Sequence, residues 1–265
     1  MYNADVTHWL DERILEGIRK AFQKEDAIRS IDLQDISVTV EDGHIFLNGH
    51  VANDLNFHRM EDIARSIIGV VVVHNHLVAD HGLSQKVAQS LAKDERLQPL
   101  SLPVLSTHGW ISLSGEVPTP ELQHAAEAAA ARVPMVRGVV KLPKVIGEAE
   151  EAPRLVLQPP IGARVCGENG HQGVVYQVII RPQNRLVTHA VVRVSQTNDG
   201  RQIARNLLVP LDAMDVVGEE EIILKREAPA LNEFRIFIPG DYPIAPLTWM
   251  PPYPYQVGKV RWTPE

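Results

Sequence analysis

A ten-residue phrase that occurs twice constrains this chain more than any other feature. Residues 42–51 read DGHIFLNGHV, and 66 positions later residues 108–117 read HGWISLSGEV. Gly43 aligns with Gly109, Ile45 with Ile111, Leu47 with Leu113, Gly49 with Gly115 and Val51 with Val117. The same shift pairs Ala64 with Ala130, Ile67 with Val133, Val70 with Val136 and Val73 with Val139. Upstream, Ile14, Ile18 and Phe22 meet Leu83, Val87 and Leu91 at a shift of 69, so the second copy has lost three residues in between. Similarity at a fixed period means one supersecondary unit used twice. The units run from about residue 7 to 80 and from about 82 to 147.

Each unit reads helix, strand, strand, helix, strand. Leu10, Ile14, Ile18, Ala21 and Phe22 recur at helical spacing, as do Leu83, Val87 and Leu91. Ile36, Val38 and Val40 alternate with polar residues, and so do Leu100, Leu102 and Val104, which predicts the first strands. Asp42–Gly43 is a tight hairpin signal. The quoted phrase is then the second strand, with Ile45 and Leu47 toward the core and Gly49 at a bend or a close backbone approach. Asn53 or Asp54 in the first copy and Thr119 in the second, followed by Pro120 and Glu121, mark the start of the second helix. Gly69 stands where a left-handed residue ends a helix. Val70–Val73 and Val136–Val140 are the expected third strands. Two amphipathic helices on one face of a three-stranded sheet satisfy the layer rule for an α+β fold.

The pattern changes after the acidic run Glu148–Pro153. Val174–Ile180, Leu186–Val194, Ile203–Val209 and Ile222–Leu224 are β-branched runs separated by turn residues, which predicts a small all-β barrel or sandwich. Residues 229–265 hold 8 of the 19 Pro and 7 of the 14 aromatics, too much proline for long regular structure. The expected layout is therefore a first repeat at 1–80, a second at 81–147, a linker at 148–154, a barrel at 155–228 and a tail at 229–265. The tail is expected to wrap the barrel or bridge to the repeats, burying Trp249, Tyr253 and Tyr255.

Charge separates the two copies. The net charge is −7, and residues 1–80 alone hold 7 Lys/Arg against 14 Asp/Glu, while residues 81–147 hold 7 against 5. The first copy thus repels phosphate-rich partners. No apolar run is long enough to span a membrane. The first residues carry acids where a signal peptide needs basic and apolar ones, and Cys166 is the only cysteine. These features predict a cytoplasmic protein, with any membrane association peripheral.

The helix–strand–strand–helix–strand repeat resembles the BON domain, named for bacterial osmotic-stress and nodulation proteins. The residues that carry the resemblance are Asp42, Gly43, Ile45, Leu47, Gly49 and Val51, then Ala64, Arg65, Ile67, Gly69, Val70, Val73 and Asn75. The second copy departs from it, with His108 for the Asp and Met135 for the late Gly. Residues 155–227 resemble the PRC-barrel, the small β-barrel of photosynthetic reaction-centre H subunits and of a ribosome-maturation factor. The matching positions are Ile161, Gly162, Val165, Gly170, Gly173, Val175, Val187, Ala190–Val192 and Leu207–Asp212, with Pro210 among them. Neither family is known for catalysis. The first resemblance implies binding to phospholipid surfaces or to proteins, in stress or envelope processes. The second implies docking and scaffolding, sometimes of RNA–protein assemblies.

Few side chains stand out as chemistry. Lys86 and Lys93 share a helix face, Arg96 follows, and Lys141 and Lys144 flank the last strand of the second repeat. They are the candidate contacts with anionic headgroups, each contributing about 1 kcal/mol near a membrane surface, or with a protein partner. Their plain alternative is a solvated face. His74, His76 and His81 have a spacing that metal ligands use, but no Cys or second His pair completes a site. No catalytic triad spacing appears among the remaining His residues, and Cys166 at a strand end reads as a packed residue. Gly167 and Gly170 have the spacing of a nucleic-acid loop but fall between strands, where a turn is the simpler reading. The sequence predicts a non-enzymatic adaptor or scaffold, possible as a homo-oligomer, without cofactor or metal. Nucleic acid is the least expected partner.

Overall fold

The structure, a computed structural model, describes residues 4–149, 152, 154, 156–167, 172–198, 201–217 and 221–264. Two compact units are present: Met1–Val136 with Pro143–Ala149, and Arg137–Leu142 with Glu150–Glu265.

The first unit opens with helices α1 (Ala4–Lys24) and α2 (Asp26–Ile31), then strands β1 (Ile36–Glu41) and β2 (His44–Val51), helix α3 (Asp54–Ser66) and strand β3 (Val72–Ala79). β1 and β2 pair antiparallel around the Asp42–Gly43 turn, Glu41 opposite His44. β2 and β3 pair parallel, His44 opposite Val72, so α3 is the crossover between them and β3 ends the sheet. Ile18, Phe22, Ile45, Leu47, Met60 and Ala64 form one buried core, and each large side chain fully buried there contributes roughly 1.5–3 kcal/mol. Asn53 caps α3 by accepting from the Asn56 N–H at 2.9 Å. Gly49 is required because a Cβ there would lie 2.1 Å from the Asp35 carbonyl oxygen.

The second repeat follows without a break: helix α4 (Asp80–Ala92), strands β4 (Val104–Thr107), β5 (Trp110–Leu113) and β6 (Glu116–Val117), and helix α5 (Pro120–Ala131). Strand β7 (Gly138–Lys141) is grouped with the other unit, while β8 (Lys144–Val145) pairs parallel with β6. Leu83, Val87, Leu91, Ile111 and Leu113 are buried, as their period requires.

The other unit holds β9 (Arg164–Cys166), β10 (Gln172–Ile180), β11 (Val187–Asn198), β12 (Arg201–Pro210), β13 (Met214–Val217), β14 (Glu221–Leu224) and β15 (Val260–Trp262). They form one curled half-barrel sheet in the order β12-β11-β10-β9-β14-β13, with β15 parallel to β10. Gly162 lies in the turn before β9, Gly173 faces Val194 across β10 and β11, and Pro210 ends β12. The proline-rich segment stays in short turns until β15. Tyr255 reaches the buried core of this sheet and donates its hydroxyl to the Pro159 carbonyl at 3.2 Å, and Trp249 packs at the edge of that core.

Four local expectations need correction. Leu100 and Leu102 are not in a strand, because Pro99 and Pro103 bracket them and β4 starts only at Val104. The third strands begin two residues late, at Val72 and Gly138, since the N–H groups of Val70 and Val136 close the preceding turns on Ile67 and Val133. Gly69 takes its positive φ within that turn and does not end α3 directly, which closes at Ser66. Thr119 precedes α5 but makes no cap bond; its hydroxyl bonds Glu121 and holds that carboxyl below its usual range.

Candidate functional site

The hairpin turn and the loop before the third strand lie together at one end of each repeat. In the first repeat, Asp42 and Gly43 both take positive φ, 52° and 76°, and donate their N–H groups to Asp11 at 2.8 and 2.9 Å. The second repeat does the same with His108 and Gly109, at 47° and 81°. Here Asp80 accepts from the His108 and Gly109 N–H groups at 2.6 and 3.0 Å and from the Ser106 hydroxyl at 2.5 Å. His tolerates the left-handed region better than most residues, so the departure at 108 keeps the turn.

That departure also joins the repeats. The His108 ring sits between two carboxylates of the first repeat, 3.2 Å from Asp32 and 3.3 Å from Asp35. Asp32 is fully buried and also accepts from the Ala52 N–H at 2.8 Å and the Asn56 amide at 2.6 Å. His50, likewise buried, donates from Nε2 to the Met135 carbonyl at 2.7 Å. A Cβ on Gly109 would lie 2.4 Å from that same His50 nitrogen. The turn end of the second repeat is thus packed against the far end of the first.

Among the described residues of the same unit, nothing covers the turn end of the first repeat in this way. A cleft of about 760 Å³ opens there, lined by Leu10, Asp11, Ile14, Gly43, Ile68 and Val71. Ile68 is 96% exposed, Val71 67% and Leu10 47%. Leu10 is therefore not the core residue its spacing predicted. Trp9 stands exposed beside Arg13, whose guanidinium lies 4.7 Å from the ring centre. A second hollow of about 290 Å³ adjoins along Arg65 and Val70–Val73, at the start of the edge strand β3. The exposed surface of the larger cleft is mainly apolar, with Asp11, Arg13, Asp42 and Ser66 as the polar lining. Asp11 is committed to the turn, the Ser66 hydroxyl donates to the Ile63 carbonyl, and no nucleophile stands beside a base among the lining residues.

The sequence-chosen cations are placed as follows. Lys86 and Lys93 are exposed on and just after α4. Arg96 is paired with Asp94 at 2.6 Å, holding that carboxyl down to about 2. Lys144 lies on β8 and Lys141 on β7, the latter in the other unit. His74 shares a hydrogen bond with His44, not with His76, at 3.2 Å; His81 bonds Gln85 at 3.1 Å. Among the described residues no group of three His, Cys, Asp or Glu is placed to hold a metal ion. Cys166 lies 3.4 Å from Glu221, and burial with that carboxylate pushes its thiol up. The Gly167–Gly170 spacing falls largely outside the described residues. The sequence reading took Asp80 only as a residue that could complete a metal site with His74 and His76, and missed the turn-holding role of Asp11 and Asp80, although they stand at the same 69-residue shift as the first helices. It also missed the Asp32, Asp35 and His50 contact, which no spacing signals.

A sequence model of the BON domain matches residues 10–81 and again 79–147. No curated protein matches the chain. Among solved structures, the C-terminal domain of CdsD, the structural protein of the type III secretion system of Chlamydia trachomatis, is 19% identical. That match covers 55% of this chain and 66% of the other, with a TM-score of 0.38. A second CdsD structure is 20% identical over 42% of this chain and 49% of the other, with a TM-score of 0.33. No helix among the described residues is long and apolar enough to cross a membrane.

Proposed function

Because the chain belongs to the BON domain family, with two such domains in tandem, we propose that it is a non-enzymatic adaptor that docks a protein partner through the open turn end of its first repeat. The observation that carries this is the asymmetry between copies. One turn end is buried in the contact between repeats, while its counterpart presents Leu10, Ile68 and Val71 around an apolar cleft. Exposed apolar surface of that kind marks interaction sites. The acidity of residues 1–80 favours a protein over an anionic surface at this end. The curled sheet of the other unit, read as PRC-barrel-like over 155–228, serves as a second docking platform. Its support is the strand pattern and the Leu207–Asp212 stretch.

Replacing Ile68 and Val71 by Asp in the full chain tests the docking reading. Proteins that co-purify with the native chain in its own cell extract are expected to be lost from this variant. An unchanged set would sink it. A second reading, contact with a phospholipid surface, is favoured by Lys86 and Lys93, which are exposed and have no carboxylate partner among the described residues. It predicts co-sedimentation with anionic vesicles that weakens in salt and in Lys86→Glu/Lys93→Glu.

A further inference from the structure

We infer that the occupant of the open end is an extended apolar peptide segment, added as a further strand along the outer edge of β3 with one side chain seated in the cleft. This rests on the docking reading and gives it a chemistry. β3 is the last strand of its sheet, so its outer edge offers backbone groups to another strand. Such edges are normally blunted by Lys, Pro or a bulge. β3 reads VVHNHLVA, with neither Lys nor Pro, and is entered through two further valines, with Val71 and Val72 67% and 40% exposed.

The second repeat shows what its counterpart strand takes. There the Val139 N–H donates to the Asn184 carbonyl at 3.0 Å, and the Val140 carbonyl accepts from the Arg154 N–H at 2.8 Å. Arg154 itself is in neither helix nor strand. The strand matching β3 thus carries backbone bonds from later segments of its own compact unit, and since adjacent residues face opposite edges, one of the two lies on its outer edge. Alternation along the added strand sends every second side chain to one face, so the peptide needs apolar residues two apart. A carboxylate at one flank would suit Arg13 at the rim.

A second copy of the chain fits less well. At the 66-residue shift its second repeat has Gln98, Ser101 and Glu116 where the first has Asp32, Asp35 and His50. A carboxylate cannot donate to a backbone carbonyl as His50 does to Met135. The contact that buries one turn end is therefore not repeated on the other by a copy of the same chain.

The test is selection of random linear peptides displayed against the full chain, with the Ile68→Asp/Val71→Asp chain as counter-target. Both positions are exposed, so the variant is expected to fold, which its thermal melt checks. Selected peptides should alternate apolar residues and bind about tenfold or more weakly to either single Asp variant. Methylating their backbone nitrogens should abolish binding at alternate positions only, and the outward-facing amides of 72–79, those not already bonded to β2 or, like Leu77, to the Asn75 side chain, should gain protection from hydrogen exchange. No enrichment over the counter-target overturns strand addition. Tolerance of methylation at every position overturns it too, leaving a groove without a strand. If the substitutions instead change vesicle binding or the sedimentation coefficient, the occupant is lipid or a second copy. The docking reading survives these failures so long as co-purification still depends on Ile68 and Val71, and falls separately if it does not.

Discussion

Asp11 and Asp80 hold equivalent turns with unequal means. Asp80 is buried and satisfies three donors, one of them a hydroxyl at 2.5 Å, while Asp11 is partly open and satisfies two. Removing a buried acceptor leaves its donors unpaired, so Asp80→Ala should cost about 2–3 kcal/mol and Asp11→Ala nearer 1 kcal/mol. Urea unfolding of the two variants decides it, and equal losses would contradict the difference in burial. At Cys166, burial and Glu221 raise the thiol above its usual value. A raised acid has less thiolate at a given pH, so alkylation at pH 8 should be slower than for an unhindered cysteine. Glu221→Gln removes the carboxylate charge that opposes the thiolate and should speed it. The turn glycines and core aliphatics were legible because their requirements are local or periodic. The aspartates were written at the right shift, but a carboxylate reaching a turn 31 residues away has no periodic signature.

Among elements, the contact between repeats is the most exacting. Gly109→Ala would set a methyl against the buried His50 ring and strain a φ of 81°, and should destabilise by about 2–4 kcal/mol. Combining it with His50→Ala should cost less than the sum of the single changes, because the clash exists only with both partners present. Additive losses in denaturant titrations would mean that the ring is not what the methyl meets. The elements themselves could be read from hydrophobic period, and the hairpins from their turn residues. Strand starts could not, since valine runs read alike in turn and strand. The pairing of His108 with Asp32 and Asp35 was equally hidden, because the sequence shows only that an Asp had become a His.

Across the whole molecule the duplication was plain, and so was the divergence of charge, but which copy is open was not. Leu10 follows the helical period of core residues and is nevertheless half exposed. Ile68 is so exposed that Ile68→Asp should alter unfolding stability by no more than about 0.5 kcal/mol while removing the partner. A large loss of stability would show that the loop supports the fold. A chain with two copies of one module invites the expectation of two identical ports. The His108 contact cancels one of them. On the docking reading proposed above, the protein is monovalent at this surface: partner titration should saturate at one per chain, with no avidity gained from the tandem and no bridging of two identical partners.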